Sequence, residues 1–232
     1  MKIINSINNE NNPKRDLGDI QALILHHTGT NKSSRNYLNK IDFISAHYLV
    51  AKDGTIYYLM GLDRVAYHAG RSTWDGLKTQ NYSLNWNSCG IEVESDGKEF
   101  TDEQRIATKE LICGLMGYFD VKPNLVLRHR DIAPKRKVDI GDKFFNNEFL
   151  SWNEYQNSLN PNYLLTLQIM LNLSQESLDT IARDYQPMTE KEMLEKAKEW
   201  KCTKDFKKGL KVLTKPTNYK DFRDCITYGR LK

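Results

Sequence analysis

The chain has 232 residues, of which 39% are hydrophobic and 28% charged, a composition typical of a globular protein and not of a disordered one. No stretch reaches the roughly 18 consecutive apolar residues that a membrane span requires, and the N-terminus lacks the apolar run of a secretory signal peptide. These absences predict a cytoplasmic protein without a membrane span. The four cysteines form no C-x-x-C pair, which disfavours a disulfide framework and a cysteine-rich zinc site, and the net charge of +4 is mild.

The first half of the chain contains three predicted strand regions after a polar leader. The apolar run A-L-I-L at 22–25 predicts a buried strand that ends at a pair of histidines. Residues 46–60 predict a β-hairpin, because two stretches rich in aromatic and β-branched residues flank the dipeptide Asp53-Gly54. Residues 88–94, S-C-G-I-E-V-E, alternate apolar and acidic side chains, which predicts a half-buried strand.

A long helix and a further strand follow. Residues 100–104, F-T-D-E-Q, predict the start of the helix, because Thr101 can cap it and Gln104 can complete a capping box. A short strand is predicted at 125–127, and a further histidine, His129, follows it after one residue. Strands therefore interleave with at least one long helix between residues 20 and 140. This order predicts an α/β domain in which helices cover a sheet.

The character of the sequence changes past residue 155, where apolar residues take helical spacing and strand signals become few. Residues 201–232 hold ten Lys or Arg against three Asp, a net charge of +7. We therefore predict a first domain at 1–155 and a small, mainly helical, basic module at 156–232. Nucleic-acid phosphates are one partner for such a charge run, but a solvated surface is commoner, and we expect no nucleic-acid partner.

The histidines are confined to the first part of the chain, before residue 130. Any one histidine near a strand end is more often a structural residue than a ligand. The combination is more specific, since His26 and His129 each follow a predicted strand and Asp139 lies ten residues after His129. Two imidazoles and one carboxylate, with a fourth position open to water, form the ligand set of a catalytic zinc site. On local sequence alone, a role for Asp139 as a turn residue before Gly141 remains open.

Five sequence blocks occur in the same order as in a known enzyme family: I-L-H-H-T-G-T, S-A-H-Y-L-V-A-K-D-G, A-Y-H-A-G-R-S-T-W-D-G, N-S-C-G-I-E-V-E and H-R-D-I-A-P-K-R-K-V-D-I-G. Over roughly residues 20–145 the chain resembles the zinc-dependent N-acetylmuramoyl-L-alanine amidases of the amidase-2 family, most of all their AmpD/AmiD-type branch. Peptidoglycan recognition proteins and some phage endolysins are related to this family. The resemblance implies a central mixed β-sheet flanked by helices, and one Zn²⁺ per chain.

The resemblance also implies roles for individual residues. It implies that His26, His129 and Asp139 bind the zinc, which can polarise an amide carbonyl and lower the pKa of a bound water toward about 7. It implies that Glu92 is the general base, a role worth about 10²–10⁴-fold in rate. It implies that Lys137 stabilises the negative charge that develops in the transition state.

Two positions bear on this assignment. Glu94 lies on the same face of the predicted strand as Glu92, so only the resemblance separates the two carboxylates. Many phage relatives carry a tyrosine near the zinc at the position of Ala46. The mechanism that uses this tyrosine is therefore not available to this chain, which favours the mechanism that uses Glu92.

The resemblance points to further residues at the substrate. Four lie in blocks that line the substrate groove of relatives, and for each a structural role is an equal alternative: His68, Arg71, Trp74 and Asn85. His47 falls in a family block as well, as a substrate-binding, supporting or packing residue. Arg130 replaces a residue that is usually small, and we predict either attraction of stem-peptide carboxylates or no role beyond the surface.

The predicted function is hydrolysis of the amide bond between N-acetylmuramic acid, or its 1,6-anhydro form, and L-alanine of the peptidoglycan stem peptide. The expected partner is therefore peptidoglycan or a muropeptide. A non-catalytic peptidoglycan-binding receptor on the same fold is the alternative. The biological role stays open between cytoplasmic cell-wall recycling and a phage-type endolysin released to the wall at lysis, in which the basic module would bind the wall. The sequence leaves the oligomeric state open.

Overall fold

The computed structural model describes residues 2–7, 12–31, 45–145 and 151–162, together with residues 165, 166 and 169. Within these residues the strands are β1 (Ile3–Asn5), β2 (Ala22–His27), β3 (Tyr48–Val50), β4 (Ile56–Tyr58), β5 (Ser88–Val93) and β6 (Val126–Arg128). The helices are α1 (Asp102–Phe119), α2 (His129–Ile132) and α3 (Trp152–Asn157). None of the helices described here is both long and apolar enough to cross a membrane.

The strands form one mixed sheet in the order β1-β4-β3-β5-β2-β6, which confirms the predicted fold class. β3 and β4 pair antiparallel, and the other pairings of the described strands are parallel. The hairpin prediction is thus confirmed, and its turn uses Gly54 with a φ of 76°, a left-handed conformation that glycine adopts without steric cost. A Cβ on Gly54 would lie 2.9 Å from the carbonyl oxygen of Glu103, so the turn packs closely against the first turn of α1.

The predicted start of α1 is also confirmed. The Thr101 hydroxyl accepts a hydrogen bond from the Gln104 N–H at 3.1 Å, and the Gln104 side-chain oxygen accepts one from the Thr101 N–H at 3.1 Å. The Gln104 amide also donates to the carbonyl of Glu94, just beyond β5, at 2.8 Å. The capping residues therefore connect the start of the helix to the end of the central strand.

The central strand is buried on both faces, and the prediction of a half-buried strand at 88–94 is wrong. All six residues of β5 are buried, because β5 lies between β3 and β2 and both faces of the sheet are covered. Apolar residues of α1 such as Leu111 belong to the cluster on one face. A second cluster, which includes Ala69 and Leu84, covers the other. The carboxylate of Glu92 is consequently enclosed by protein and is not solvent-facing.

The polar leader contains a strand that the sequence pattern did not indicate. β1 pairs in parallel with β4, and Ile3 lies opposite Ile56. The three residues of β1 are half-buried or exposed, as expected at the edge of a sheet. An edge strand of this length has too few apolar positions to produce a recognisable alternation.

The apolar core continues past residue 155, where we predicted the first domain to end. Tyr155 in α3 is 3% exposed and Leu159 is 1% exposed. Further along, the Thr166 hydroxyl donates to the Gly114 carbonyl of α1 at 2.8 Å. The helical, basic module predicted at 156–232 lies mostly outside the described residues, and its existence as a separate unit stays a prediction.

Replacing Leu159 by alanine is expected to lower the free energy of unfolding by about 2–5 kcal/mol, because the side chain leaves a cavity in a filled core. Urea denaturation of the full chain measures this change. Ile106→Ala is the matched control, since Ile106 lies on α1 with 61% of its surface exposed and should change stability by less than about 0.5 kcal/mol. Equal stabilities of the two variants would show that residues after 155 do not support the core.

Candidate metal centre and active site

The predicted site residues meet where three strands end. β5, β2 and β6 are neighbours and run parallel, so their carboxyl ends lie at the same edge of the sheet. His26 in β2 is in register with Glu92 in β5. Leu25 is in register with Arg128, directly before His129. This carboxyl edge is the usual location of ligand sites in sheets of this class.

Three side chains converge on one point at this edge, and they are the three that the sequence predicts as zinc ligands. His26 Nδ1 lies 2.8 Å from His129 Nδ1 and 3.3 Å from Asp139 Oδ2, and His129 Nδ1 lies 2.9 Å from Asp139 Oδ2. A tetrahedral zinc with bonds of about 2.0–2.1 Å holds its ligand atoms about 3.3 Å apart. The observed triangle is thus close to the size that a bound metal ion requires, and these three residues could hold one.

The local backbone explains how two candidate ligands ten residues apart in the chain come together. His129 begins α2, and the chain then turns back through a non-helical loop to Asp139. The N–H of Arg130 donates to the carbonyl of Asp139 at 2.6 Å, which closes the loop. The loop therefore presents both side chains to the same point.

Both histidines are buried, and His26 is in the neutral state that metal binding requires. His26 is 1% exposed and His129 is 3% exposed. Burial lowers the pKa of His26 to about 4, so this ring is neutral at neutral pH. His129 Nε2 lies 3.1 Å from the carbonyl oxygen of Ala69 and can donate its hydrogen there. A histidine ligand commonly donates its second ring N–H to a carbonyl or carboxylate in this way.

Glu92 is a buried carboxylate with an unpaired oxygen. The residue is 8% exposed, and its Oε2 atom has no hydrogen-bond partner. Burial, and secondly the negative charge of Asp139, raise its pKa to about 8, while the positive charge of Lys137 acts in the opposite direction. An enclosed, unpaired carboxylate with a strongly shifted pKa is characteristic of a functional site. It also supports the fit of the site for a cation, which would lie beside these negative charges.

Lys137 is half-buried and contributes a positive charge to the same site. Its ammonium lowers the pKa of both Glu92 and His26, which shows that it lies within electrostatic range of the metal-ligand triangle. Its backbone N–H donates to the carbonyl of Ala133 at 2.9 Å, within the turn that leads to Asp139. A carboxylate, an ammonium and three side chains that could hold a metal are therefore brought together at one edge of the sheet.

Replacing Glu92 by glutamine is expected to stabilise the metal-free protein near pH 8. The pKa of this carboxyl rises from 4.5 to about 8 on folding, so the folded state keeps the proton that the unfolded chain loses, and stability falls as pH rises through this interval. Glutamine does not titrate, so the variant does not lose stability in this way. Its free energy of unfolding should exceed that of the unaltered protein by about 1 kcal/mol near pH 5 and by a few kcal/mol near pH 8. Urea denaturation in chelator at both pH values measures it, and an equal gain at both would contradict the raised pKa.

Two residues predicted as substrate contacts are enclosed by backbone partners. The Asn85 side-chain oxygen accepts from the N–H groups of His68 at 3.2 Å and Ala69 at 2.8 Å. His47 is fully buried, and its Nδ1 accepts from the Gly90 N–H at 3.0 Å. Both side chains thus have a structural environment, which is the alternative that the sequence left open for each.

The other predicted substrate residues are placed differently. His68 is 7% exposed, and its Nδ1 lies 2.9 Å from His26 Nε2. The guanidinium of Arg71 lies 5.6 Å from the ring centre of the exposed Tyr82. Trp74 is half-buried against the second apolar cluster. The Arg130 side chain is 40% exposed and pairs with Asp142 at 3.6 Å, so Arg71, Trp74 and Arg130 remain candidates for contact with a substrate.

Two arginines have roles that the sequence did not predict. Arg15 is buried and donates to backbone carbonyls that include that of Ser88, at 2.7 Å. Arg136 donates to the carbonyls of Ala69 at 2.8 Å and Arg71 at 3.0 Å, which joins the loop before Asp139 to the chain around Gly70. Neither arginine could be recognised as structural from the sequence. Their partners are backbone carbonyls, which every residue has, so no residue type indicates them.

A family model described as N-acetylmuramoyl-L-alanine amidase matches residues 16–142 of the chain. The AmpD 1,6-anhydro-N-acetylmuramyl-L-alanine amidase of Haemophilus influenzae is 31% identical over 118 residues, which cover 50% of this chain and 59% of that protein. The AmiD amidase of Escherichia coli is 31% identical over 142 residues, which cover 54% of this chain and 50% of that protein. The chain thus spans little more than half the length of these curated relatives.

Solved structures share the fold. The complex of Escherichia coli AmiD with an anhydromuropeptide superposes with a TM-score of 0.51 at 24% identity, covering 96% of this chain and 90% of that one. The LysC amidase of Clostridium intestinale superposes with a TM-score of 0.51 at 22% identity, covering 70% of this chain and 99% of that one. At these identities the structures support the architecture alone. Because the family model covers more than half of the sequence, including both histidines and the aspartate of the triangle, the chain belongs to the amidase-2 family of N-acetylmuramoyl-L-alanine amidases.

Proposed function

We propose that the chain is a zinc-dependent N-acetylmuramoyl-L-alanine amidase, which hydrolyses the amide bond between N-acetylmuramic acid, or its 1,6-anhydro form, and L-alanine of the stem peptide. The observation that carries the proposal is the convergence of His26, His129 and Asp139 beside the unpaired carboxylate of Glu92. The names of the AmpD relatives state an anhydro-muramyl-L-alanine amidase activity, and the AmiD complex contains an anhydromuropeptide, which supports the substrate class.

Zinc is the metal that we propose for the site. Two neutral imidazoles and one carboxylate are a common ligand set of catalytic zinc, which keeps a fourth position open. When bound, zinc supplies Lewis acidity, which polarises a carbonyl and lowers the pKa of a water. The triangle of His26, His129 and Asp139 and the absence of a partner on Glu92 Oε2 fit such an ion.

Glu92 is the proposed general base. An attacking water must lose a proton, and the departing amine must gain one, so a single carboxyl beside the scissile bond can serve both steps. Burial raises the pKa of Glu92 to about 8, and a cation beside it would lower that pKa and keep the group ionised near neutral pH. Lys137 is the proposed electrostatic stabiliser, since its positive charge becomes favourable as negative charge develops on the carbonyl oxygen.

A non-catalytic receptor on the same fold is the second candidate. A receptor needs a binding groove but not a complete set of reactive groups. In this chain three side chains that could hold a metal converge beside Glu92 and Lys137, which favours an enzyme. We propose no nucleic-acid partner. Location stays a proposal as well: the cytoplasm for a recycling enzyme, or the cell wall after lysis for an endolysin.

The test presents the full chain with intact sacculi and with soluble anhydro-muropeptides, each with added zinc and with chelator, and identifies the products by mass spectrometry. The proposal expects free stem peptide to appear with zinc and to disappear with chelator. Binding of either substrate without cleavage, in the presence of zinc, would favour the receptor. Faster cleavage of sacculi would indicate a wall-degrading role, and faster cleavage of anhydro-muropeptides would indicate a recycling role.

A further inference from the structure

We propose that the dipeptide His68-Ala69 orients both histidine ligands of the zinc site, and that His68 is the positioning residue of His26. The inference rests on the proposed zinc site and deepens it, because it assigns His68 and Asn85 to support of the metal and not to the substrate groove. Its basis is two hydrogen-bond branches, each of which ends at a backbone carbonyl. Since a carbonyl can only accept, the position of every hydrogen along each branch can be assigned.

The first branch sets the tautomer of His26. The Ser88 hydroxyl lies 2.7 Å from the Leu84 carbonyl and gives it its one hydrogen. Ser88 Oγ therefore accepts from His68 Nε2, at 3.3 Å. The neutral His68 ring then has no hydrogen on Nδ1, which accepts from His26 Nε2 at 2.9 Å. His26 Nδ1 in consequence holds a free lone pair, and this is the atom that faces the ligand triangle.

The second branch sets the tautomer of His129. The Ala69 carbonyl accepts from His129 Nε2 at 3.1 Å and from the Arg136 guanidinium at 2.8 Å. With a ring hydrogen held on Nε2 by this carbonyl, Nδ1 is the His129 nitrogen whose lone pair a metal can use. Two lone pairs and the Asp139 carboxylate therefore face one another across 2.8–3.3 Å. A set of three acceptors without a hydrogen between them is satisfied by a cation.

Two further residues hold the dipeptide in place. The Asn85 side-chain oxygen accepts from the backbone N–H groups of both His68 and Ala69, at 3.2 Å and 2.8 Å. Gly90 in β5 lies directly beneath the His68 ring, and a Cβ there would overlap the ring atoms. The Asn85 amide and the absence of a side chain at Gly90 therefore hold the His68 ring and the Ala69 carbonyl in place. These are the two groups that contact His26 and His129.

Replacing His68 by phenylalanine removes the acceptor for His26 Nε2–H and keeps a flat ring of similar size. We expect the variant to bind Zn²⁺ about 10–100-fold more weakly, the effect typical of lost partners behind a metal ligand. Competition with a chromophoric chelator measures the affinity in the full chain. His68→Gln supplies an amide oxygen as acceptor and should recover a large part of the loss. Phe and Gln variants with affinities within twofold of the unaltered protein would overturn the inference.

Nuclear magnetic resonance of the zinc-loaded, ¹⁵N-labelled protein tests the hydrogen assignment directly and needs no variant. The inference expects a hydrogen on His68 Nε2 and none on Nδ1, and the opposite tautomer would overturn it. Ser88→Ala frees Nε2 of its acceptor, so the same spectrum should show a mixture of His68 tautomers, with a smaller loss of zinc affinity than His68→Phe. This variant covers the case in which His68→Phe does not fold.

The outcomes separate this inference from the proposed function. An unaltered protein that binds no zinc would remove the proposed metal site itself. Zinc binding that is unchanged in His68→Phe, together with a raised KM for muropeptide, would return His68 to the substrate groove. Weaker zinc binding in His68→Phe with recovery in His68→Gln supports the positioning role, because packing alone does not distinguish an acceptor from a hydrocarbon ring.

Discussion

Replacing Glu92 by glutamine is expected to lower kcat by about 10²–10⁴-fold, the usual contribution of general acid–base catalysis. Glutamine keeps the size of the side chain and cannot take a proton from water. Glu92 is not one of the three proposed ligand residues, so zinc should remain bound when it is supplied in excess. Hydrolysis of an anhydro-muropeptide, followed by chromatography of the released peptide, measures the rate, and metal analysis of the same sample measures the zinc.

Glu94→Gln is the matched control for this experiment. Glu94 is two residues further along the same strand direction and is also buried, at 6% exposure. Glu92, and not Glu94, is in register with His26. Burial and the charge of Asp139 raise the pKa of Glu92. The control should therefore keep its activity. A full loss in Glu94→Gln with normal activity in Glu92→Gln would exchange the roles of the two carboxylates.

The two expected effects of Glu92→Gln have opposite signs. The substitution should stabilise the metal-free fold near pH 8, because the enclosed carboxylate of Glu92 lacks a partner for one oxygen. It should nevertheless abolish most turnover. A group that lowers stability and raises activity is expected at an active site, where selection acts on the reaction. The pair of measurements therefore tests function more sharply than either alone.

The arrangement of the ligands could be predicted in large part from the sequence, for a physical reason. Two apolar runs lead to His26 and His129, and parallel neighbouring strands bring their carboxyl ends to the same edge. The capping box at Thr101 and the turn at Gly54 were readable as well, because both depend on residues close in the chain. Interactions between residues that are close in the chain produce patterns that can be recognised in the sequence.

The supporting residues could not be predicted from the sequence, because their partners are distant or are backbone groups. His68 contacts His26 from 42 positions away. Asn85 accepts from N–H groups 16 and 17 positions away. The burial of Glu92 was misjudged because alternation along β5 looks the same whether or not the polar face of the sheet is covered, as it is here by the second apolar cluster.

Replacing Asp139 by alanine is expected to have the largest effect on the metal. It removes the one negative charge from the proposed ligand set and leaves two neutral histidines, so Zn²⁺ affinity should fall by more than about 100-fold, beyond the loss typical of a supporting residue. Cleavage of muropeptide should disappear at low zinc. Chelator competition measures the affinity, and excess zinc should restore part of the activity, because the Glu92 base remains in place.

The same loop offers a control that separates a ligand from a general carboxylate. Asp142 lies three residues after Asp139, its side chain is 78% exposed, and it pairs with Arg128 at 2.9 Å. An exposed ion pair contributes at most about 1 kcal/mol, so Asp142→Ala should bind zinc within twofold of the unaltered protein. Similar losses of zinc in both variants would mean that the negative charge of the loop, and not a bond from Asp139, attracts the metal. Loss confined to Asp139→Ala would mean that the carboxylate within 3.3 Å of both imidazole nitrogens completes the ligand set.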